Sequence, residues 1–432
     1  MDPYDVVIVG ARCAGSPLAT MLARQGLAVC VLDQARFPSD TLSTHVVQPH
    51  GVELLDRLGA LDRMPDDAVS IESLTLVMDD VRIEETQLPG QRPGLSARRV
   101  TMDAALVDVA RAAGAEVRTA TRATGLLRQG DRVVGVETDG GAVCGRLVIG
   151  ADGRRSSVAD WAGSREYHVT PGGRMLALGY FEGVADLEPR LRIGQIGDWA
   201  FLAAPTDGGL YMSGVLCDLA AAPAFLADRA ASYERGLRAW PELAALVDGR
   251  RMVGPLRVQT DWHGFFREAA GPGWVLVGDA GHFKDFTPGQ GISDALRQVD
   301  RLAPAIVEGF ASDREATLDA LLQRWWTWRD EDAWEMYWFA SDMGAPGPPT
   351  PLVTRVLRDI SKRPGGGQDL LRMLDHEIPP SALFTRPRLA LAAVRALADR
   401  PRQARATARE IGASVREQVR RDRLRPGVVP AR

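Results

Sequence analysis

Four short stretches of the 432-residue chain place glycines and carboxylates where a phosphorylated ligand can be held. The first reads Gly10-Ala11-Arg12-Cys13-Ala14-Gly15, and Asp33 follows 23 positions after Gly10. Turn glycines admit a pyrophosphate close to the backbone, the helix that follows offers unpaired N–H groups and a partial positive end, and an acidic residue about 20 positions on can accept hydrogen bonds from a ribose diol. Arg12 stands where the middle glycine of such a loop normally sits. It either replaces close backbone approach with a side-chain cation or moves the phosphate slightly outward. The second stretch is Asp152-Gly153, the third Gly278-Asp279, and the fourth Thr287-Pro288-Gly289-Gln290-Gly291. The last opens a helix whose first N–H groups and dipole favour negative charge.

Strands must deliver these loops. The β-branched run Asp5–Val9 ends at Gly10, helical spacing of Leu18, Ala19 and Leu22 follows, and a second apolar run, Ala28–Leu32, stops at Asp33. That is the strand, turn, helix and strand of a dinucleotide-binding βαβ unit. Leu147–Ile149 and Trp274–Val277 read as buried strands that lead into Asp152 and Gly278.

In this order and spacing the motifs resemble the FAD-dependent monooxygenase superfamily of the para-hydroxybenzoate hydroxylase type, with flavin-dependent halogenases and geranylgeranyl reductases as wider relatives. The resemblance covers roughly residues 5 to 345. It implies non-covalent FAD, with Gly10, Arg12, Ala14 and Gly15 at the pyrophosphate, Asp33 on the adenosine ribose and Arg99 near the phosphate-ribityl region. Asp103 would cap the helix that carries Leu106 and Ala110. Asp152 would support the fold and reductant binding, Gly278 and Asp279 would meet the ribityl chain, and Gly289, Gln290 and Gly291 would line the isoalloxazine edge. Ser43, Thr44 and His45 would run along the flavin's reacting side, where para-hydroxybenzoate hydroxylase has arginines; that departure argues against a simple carboxylate as substrate. His45 is the catalytic candidate, read either as the acceptor that activates a phenol-like substrate or as a hydrogen-bonded structural residue.

The implied fold is α/β: a discontinuous Rossmann-like FAD-binding domain (1–75, 97–165 and 270–345), an inserted antiparallel-sheet substrate domain (76–96 and 166–269) and a C-terminal helical region (346–432). Strand-like segments around Ser73–Met78, Val81–Ile83, Met175–Leu178 and Gly209–Val215, with a hairpin turn at Asp207-Gly208-Gly209, are expected to wall a substrate pocket. Residues 220–250 read as helical. Tryptophans 325, 326, 328, 334 and 338 are expected to pack in the core or, where they line a pocket, to stack on a flat aromatic substrate. The basic segments Arg400–Arg402 and Arg420–Arg423 read as a solvated amphipathic helix or a subunit contact rather than a seat for an anionic partner.

Fifty-two basic and 56 acidic residues leave a net charge of −4, which gives no reason to expect nucleic acid as partner. No run reaches the ~18 apolar residues a membrane span needs, and the N-terminus lacks a basic leader, so a cytoplasmic protein is expected. Cys13, Cys30, Cys144 and Cys217 are scattered without metal-ligand spacing, which predicts buried free thiols and no metal. The expected activity is hydroxylation of an aromatic or polycyclic small molecule by NAD(P)H and O2 through a flavin C4a-hydroperoxide, in specialised metabolism. NAD(P)H would dock transiently, since no second glycine-rich βαβ unit is present; a separate flavin reductase or a second copy of the chain are the candidate protein partners. Halogenases carry a Trp-x-Trp-x-Ile-Pro motif, whereas Trp199-Ala-Phe-Leu-Ala-Ala-Pro205 lacks the second tryptophan, and Lys284 and Lys362 are misplaced for a halogenase lysine. A geranylgeranyl-reductase-like ene-reductase and a non-enzymatic flavin redox sensor acting through the Arg-rich C-terminal helices stand as alternatives.

Overall fold

The apolar run Tyr4–Val9 forms an inner strand of a parallel sheet. It pairs in parallel with Gly141–Gly150 on one side and Val29–Asp33 on the other, and Gly141–Gly150 pairs in parallel with Trp274–Leu276. Glu116–Thr119 closes one edge beyond Val29–Asp33, and the short antiparallel strand Ala270–Gly271 the other. The computed structural model describes residues 4–86, 92–185, 187–312, 314–399 and 404–426, so the basic segment Arg400–Arg402 lies outside the described residues. The chain divides into two compact units: Met1–Ala68 with Gly94–Pro171 and His263–Asp330, and Val69–Pro93 with Gly172–Trp262 and Glu331–Arg432.

Strands buried on both faces read as near-continuous apolar runs, and this sheet is of that kind. On one face Val6, Ile8, Val29, Val31, Leu147, Ile149 and Val275 pack with Leu18 and Leu22 of the helix Gly15–Arg24 and with Val299, Leu302 and Ile306 of the helix Gly291–Ala311. On the other, Val7, Cys30, Leu32, Val148 and Leu276 pack with Val133, Val136 and Val143 of a hairpin and with Val158. Truncating one such leucine to alanine costs ~2–5 kcal/mol. The same unit takes in Glu166–Pro171 and His263–Arg267. These strands pair with each other, and His263–Arg267 also pairs with His282–Phe283, so pairing draws both segments past the expected boundaries at 165 and 270.

The second unit is built on a seven-stranded sheet in the order Arg251–Gln259, Arg174–Glu182, Leu210–Asp218, Trp199–Thr206, Arg190–Ile196, Ser73–Met78 and Val81–Thr86. All neighbours are antiparallel except Arg190–Ile196 with Ser73–Met78. Period-two alternation turns Met175, Ala177, Phe181, Phe201, Ala203, Val215 and Cys217 to one face, where Phe225, Tyr233, Leu237, Trp240 and Leu243 of the helices at 222–247 cover them. Gly208 and Gly209 take positive φ values of 77° and 63° in the hairpin turn, which suits glycine. The helix Glu315–Met343 gives its first part to the first unit and its remainder to the second, followed by helices at Pro351–Ser361, Gly366–Leu374, Pro380–Leu383, Arg386–Asp399 and Ala404–Leu424.

Tryptophans 325, 334 and 338 are buried, Trp325 in the core of the first unit, and Trp334 meets Trp338 edge to face at 5.6 Å in the second. Cys13, Cys30 and Cys217 are buried free thiols, but Cys144 is exposed because it falls on an outward position of the strand Gly141–Gly150. Among the described residues, no helix is long and apolar enough to cross a membrane.

Candidate cofactor site

Parallel alignment puts the C-terminal ends of three strands side by side, with Val9 opposite Gly150 and Gly150 opposite Leu276. The loops that begin at Gly10, Ala151 and Gly278 therefore leave the sheet at one edge, the place where open α/β sheets bind ligands. Their contact is close. Gly10 has φ +104°, and a Cβ there would lie 2.3 Å from the Ala151 carbonyl oxygen; a Cβ on Gly15 would lie 1.8 Å from the Gly10 carbonyl oxygen. Gly278, at φ +64°, would bring a Cβ to 3.1 Å from that of Ala14. Gly10 and Gly15 need glycine because backbone meets backbone there, and Gly278 because its φ is positive and the Ala14 side chain crowds it. At the end of its strand Asp33 accepts the Ala11 N–H on Oδ2 and the Ala35 N–H on Oδ1, each at 2.8 Å, so the carboxylate is fixed beside the loop with lone pairs left for a diol.

Arg12 is not free to replace a glycine at a phosphate unaided. Its guanidinium donates to Asp103 Oδ2 at 2.5 Å and to the carbonyl and hydroxyl oxygens of Ser39, and it lies over the Phe37 ring. Arg99 donates to the other oxygen of Asp103 at 2.9 Å, and the Cys13 thiol donates to the same oxygen. Asp103 was expected to cap its helix. The helix instead starts at Arg99 after an extended Arg98, and Asp103 lies one turn inside, fully buried, binding both arginines. Two cations around one anion leave a surplus positive charge behind the glycine loop. Burial works against the charge on Arg99, yet the groups around it, including Asp103 and Asp279, hold its pKa above the ordinary value. Burial pushes the Cys13 thiol far up, which makes it inert.

Asp152 accepts the Ser156 hydroxyl on Oδ1 at 2.5 Å and the Val158 N–H on Oδ2 at 3.2 Å, while Ser156 caps the helix Ser157–Ala162. Its visible work is to order this turn, and burial raises its pKa. Burial likewise pushes Asp279 up to about 6, against the pull of Arg99, Arg154 and Lys284, with Asp294 adding to the rise. A hydroxyl that donates to the Asp279 carboxylate stabilises its charged form. The turn that carries Asp279 is held from behind. Gly278 N–H donates to Gln298 Oε1 at 2.9 Å, Arg267 donates to the Ala280 carbonyl, and Arg329 donates to the carbonyls of Gly281 and Arg267. Sequence reasoning missed Arg267 and Arg329; the only available signal was for Arg329, an arginine that directly follows the Trp325-Trp326-Thr327-Trp328 run.

Gly289 has φ +67°, and Gln290 precedes the 21-residue helix Gly291–Ala311. Gly291 is exposed, and a Cβ there would meet nothing within 4 Å, so the helix end is open. Gln290 points inward instead: it is buried and accepts from Lys284 Nζ at 2.8 Å, and Lys284 also pairs with Asp294 at 2.8 Å. The Ser43–Gln48 segment reaches the same helix, where the Gln48 backbone N–H donates to Ser293 Oγ at 2.8 Å. His45 is fully buried at φ +60°, and its N–H donates to Ser43 Oγ at 3.1 Å. Thr44 is half-buried beside it. Glycine cradles, a half-buried carboxylate and an open helix start fit a dinucleotide with a ring that gains negative charge on reduction.

Residues 3–202 match the family described as the FAD binding domain. Digeranylgeranylglycerophospholipid reductase of Methanosarcina mazei is 34% identical over 167 residues, which are 38% of this chain and 40% of that protein. The chain thus spans about two fifths of the length of the curated relatives it matches. Among solved structures, the flavin-dependent brominase Bmp2 superposes with a TM-score of 0.73 at 19% identity, over 93% of this chain and all of that one. PqsL of Pseudomonas aeruginosa, a probable FAD-dependent monooxygenase, superposes with a TM-score of 0.63 at 18% identity, over 90% of this chain and 99% of that one. These likenesses establish an FAD-binding α/β fold with an inserted sheet and C-terminal helices.

Proposed function

We propose that this flavoprotein is an FAD-dependent oxidoreductase that transfers one atom of O2 to an aromatic or polycyclic small molecule, with NAD(P)H docking transiently as reductant. The observation that carries the reading is the alignment of three strand ends, at Gly10, Asp152 and Gly278, on one edge of the parallel sheet. Bound FAD supplies hydride acceptance and oxygen activation. The chain's own residues bind and orient it. Gly10, Ala14 and Gly15 admit the pyrophosphate, and Arg12 with Arg99 supplies positive charge tempered by Asp103. Asp33 takes the ribose, and Asp279 the ribityl hydroxyl. Asp152 orders the turn beside them. The open N-terminus at Gly289, Gln290 and Gly291 stabilises negative charge on the ring. Ser43, Thr44 and the water-excluded His45 border the reacting side, where a buried imidazole can hold a substrate proton.

The residues at Trp199–Pro205, which lack a second tryptophan, support oxygen transfer over halogenation. A second reading, reduction of an alkene in a prenyl chain, is favoured by the 34% identity to the lipid reductase over 167 residues. The purified protein should oxidise NAD(P)H faster with its substrate and yield a product heavier by one oxygen. A product heavier by two hydrogens supports the reductase, and halide incorporation contradicts both.

A further inference from the structure

We propose that Gln48 and Ser96 form a subsite for a carbonyl or phenolic oxygen beside the start of the Gly291–Ala311 helix, the oxygen coming from the flavin ring or from the substrate. The inference rests on the reading of FAD at that helix. Val46–Val47 pairs antiparallel with Gly94–Ser96, Val46 opposite Ser96 and Val47 opposite Leu95. Side chains alternate across such a ribbon. Val47 and Leu95 turn to an apolar cluster with Leu54, Leu55, Met102 and Leu106 and with Ile292 and Leu296 of the Gly291–Ala311 helix, so Val46 and Ser96 turn to the other face, and Gln48, two residues after Val46 in extended backbone, joins them.

Both polar side chains on that face are more than nine-tenths buried, Gln48 at 8% exposure and Ser96 at 0%, and neither Gln48 Nε2 nor Ser96 Oγ has a hydrogen-bond partner among the described residues. Buried donors without acceptors are costly, and a ligand oxygen that reaches two of them on one face removes that cost. Gln48 precedes the helix Pro49–Arg57 but does not cap it with its side chain. Its backbone is fastened to Ser293, within the first turn of the Gly291–Ala311 helix, where the leading N–H groups lack acceptors one turn back. A buried amide N–H and a hydroxyl on one face select an acceptor oxygen and disfavour a cation.

The test compares full-length wild type with Gln48→Leu and Ser96→Ala, each stripped of flavin and then titrated with FAD, with thermal unfolding of the stripped forms followed in parallel. If the flavin supplies the oxygen, FAD affinity falls about tenfold in Gln48→Leu, the effect of one lost hydrogen bond, and less in Ser96→Ala. If the substrate supplies it, FAD affinity holds, and phenol used as probe perturbs the flavin absorption of wild type but not of the variants. In either case the stripped variants melt no lower than wild type, because each removes an unsatisfied group. Variants that match wild type in both FAD affinity and phenol response, or that melt lower when stripped, overturn the subsite. A wild type that takes up no FAD fails the underlying reading instead.

Discussion

Both units bury arginines and acids, but they spend them differently. In the first unit, Asp33, Arg99, Asp103, Asp152, Asp279 and Lys284 stand on or behind loops that share one sheet edge, and several are braced rather than saturated. In the second, several buried polar groups fasten the fold, although the Ser213 hydroxyl and the Trp338 N–H have no hydrogen-bond partner among the described residues. Arg174, fully buried, donates to the carbonyls of Asp198, Ala345 and Gly347 and pairs with Asp218, which ties the Gly344–Pro349 turn to the sheet. Tyr233 donates to the Ser213 carbonyl, and Arg421 pairs with Asp342 and lies over the Trp338 ring. Arg174, Tyr233 and Arg421 spend their hydrogen bonds within the protein, whereas Asp33 keeps lone pairs for a ligand.

Substitutions should separate the two uses. The largest expected loss of stability is Arg174→Ala, which takes the buried guanidinium from the carbonyls of Asp198 and Ala345 and leaves the Gly347 carbonyl to Gln195 and the Asp218 carboxylate to the Gly347 N–H, and should cost ~3–5 kcal/mol. Thermal unfolding should show it, with FAD affinity per folded chain unchanged; a large loss of FAD affinity would erase the distinction between the units. Asp279→Ala should do the reverse, weakening FAD about 10- to 100-fold through loss of a charge-assisted hydrogen bond while the flavin-free protein at neutral pH melts no lower. Stoichiometric flavin retained by that variant would remove the ribityl assignment.

The same carboxyl gives a pH signature. Its pKa in the folded chain is raised from 3.8 to about 6 by burial. The folded state therefore keeps its proton where the unfolded state has lost it. The resulting stabilisation is complete below about 3.8 and is lost as pH rises through about 6. FAD prefers the ionised carboxylate, so its affinity should weaken as pH falls below about 6, and Asp279→Asn should flatten that dependence. A wild-type titration of FAD affinity that is flat from pH 5 to 7 would contradict it.

Smaller effects probe the second unit alone. Tyr233→Phe removes one buried hydrogen bond to Ser213 and should cost ~1 kcal/mol, read by denaturant unfolding. Val394 on the helix Arg386–Asp399 is 65% exposed, and Val394→Ser should stay within ~0.5 kcal/mol of wild type. A larger loss would mean that this helix face is covered.

The sequence reveals what local backbone chemistry demands. Gly10 and Gly278 need positive φ at strand ends, and Asp33 ends its strand at the expected spacing, so the converging edge was legible. The hairpin at Asp207–Gly209 was legible for the same reason. Partnerships across long separations were not. Nothing within a few residues of Asp103 says that it binds Arg12, 91 positions away, and no local pattern joins Arg329 to the Gly281 carbonyl. The exposure of Cys144 follows from which face of its strand it occupies, a register that only pairing fixes. The orphaned donors of Gln48 and Ser96 are visible only once burial is known.

The convergence of residues 10, 152 and 279 on one dinucleotide is tested most directly by counting flavin. The purified chain, stripped and incubated with FAD, should retain one FAD per chain through gel filtration, and the Asp279→Ala variant far less. A wild-type protein that emerges colourless from the same column would contradict the assignment of this sheet edge.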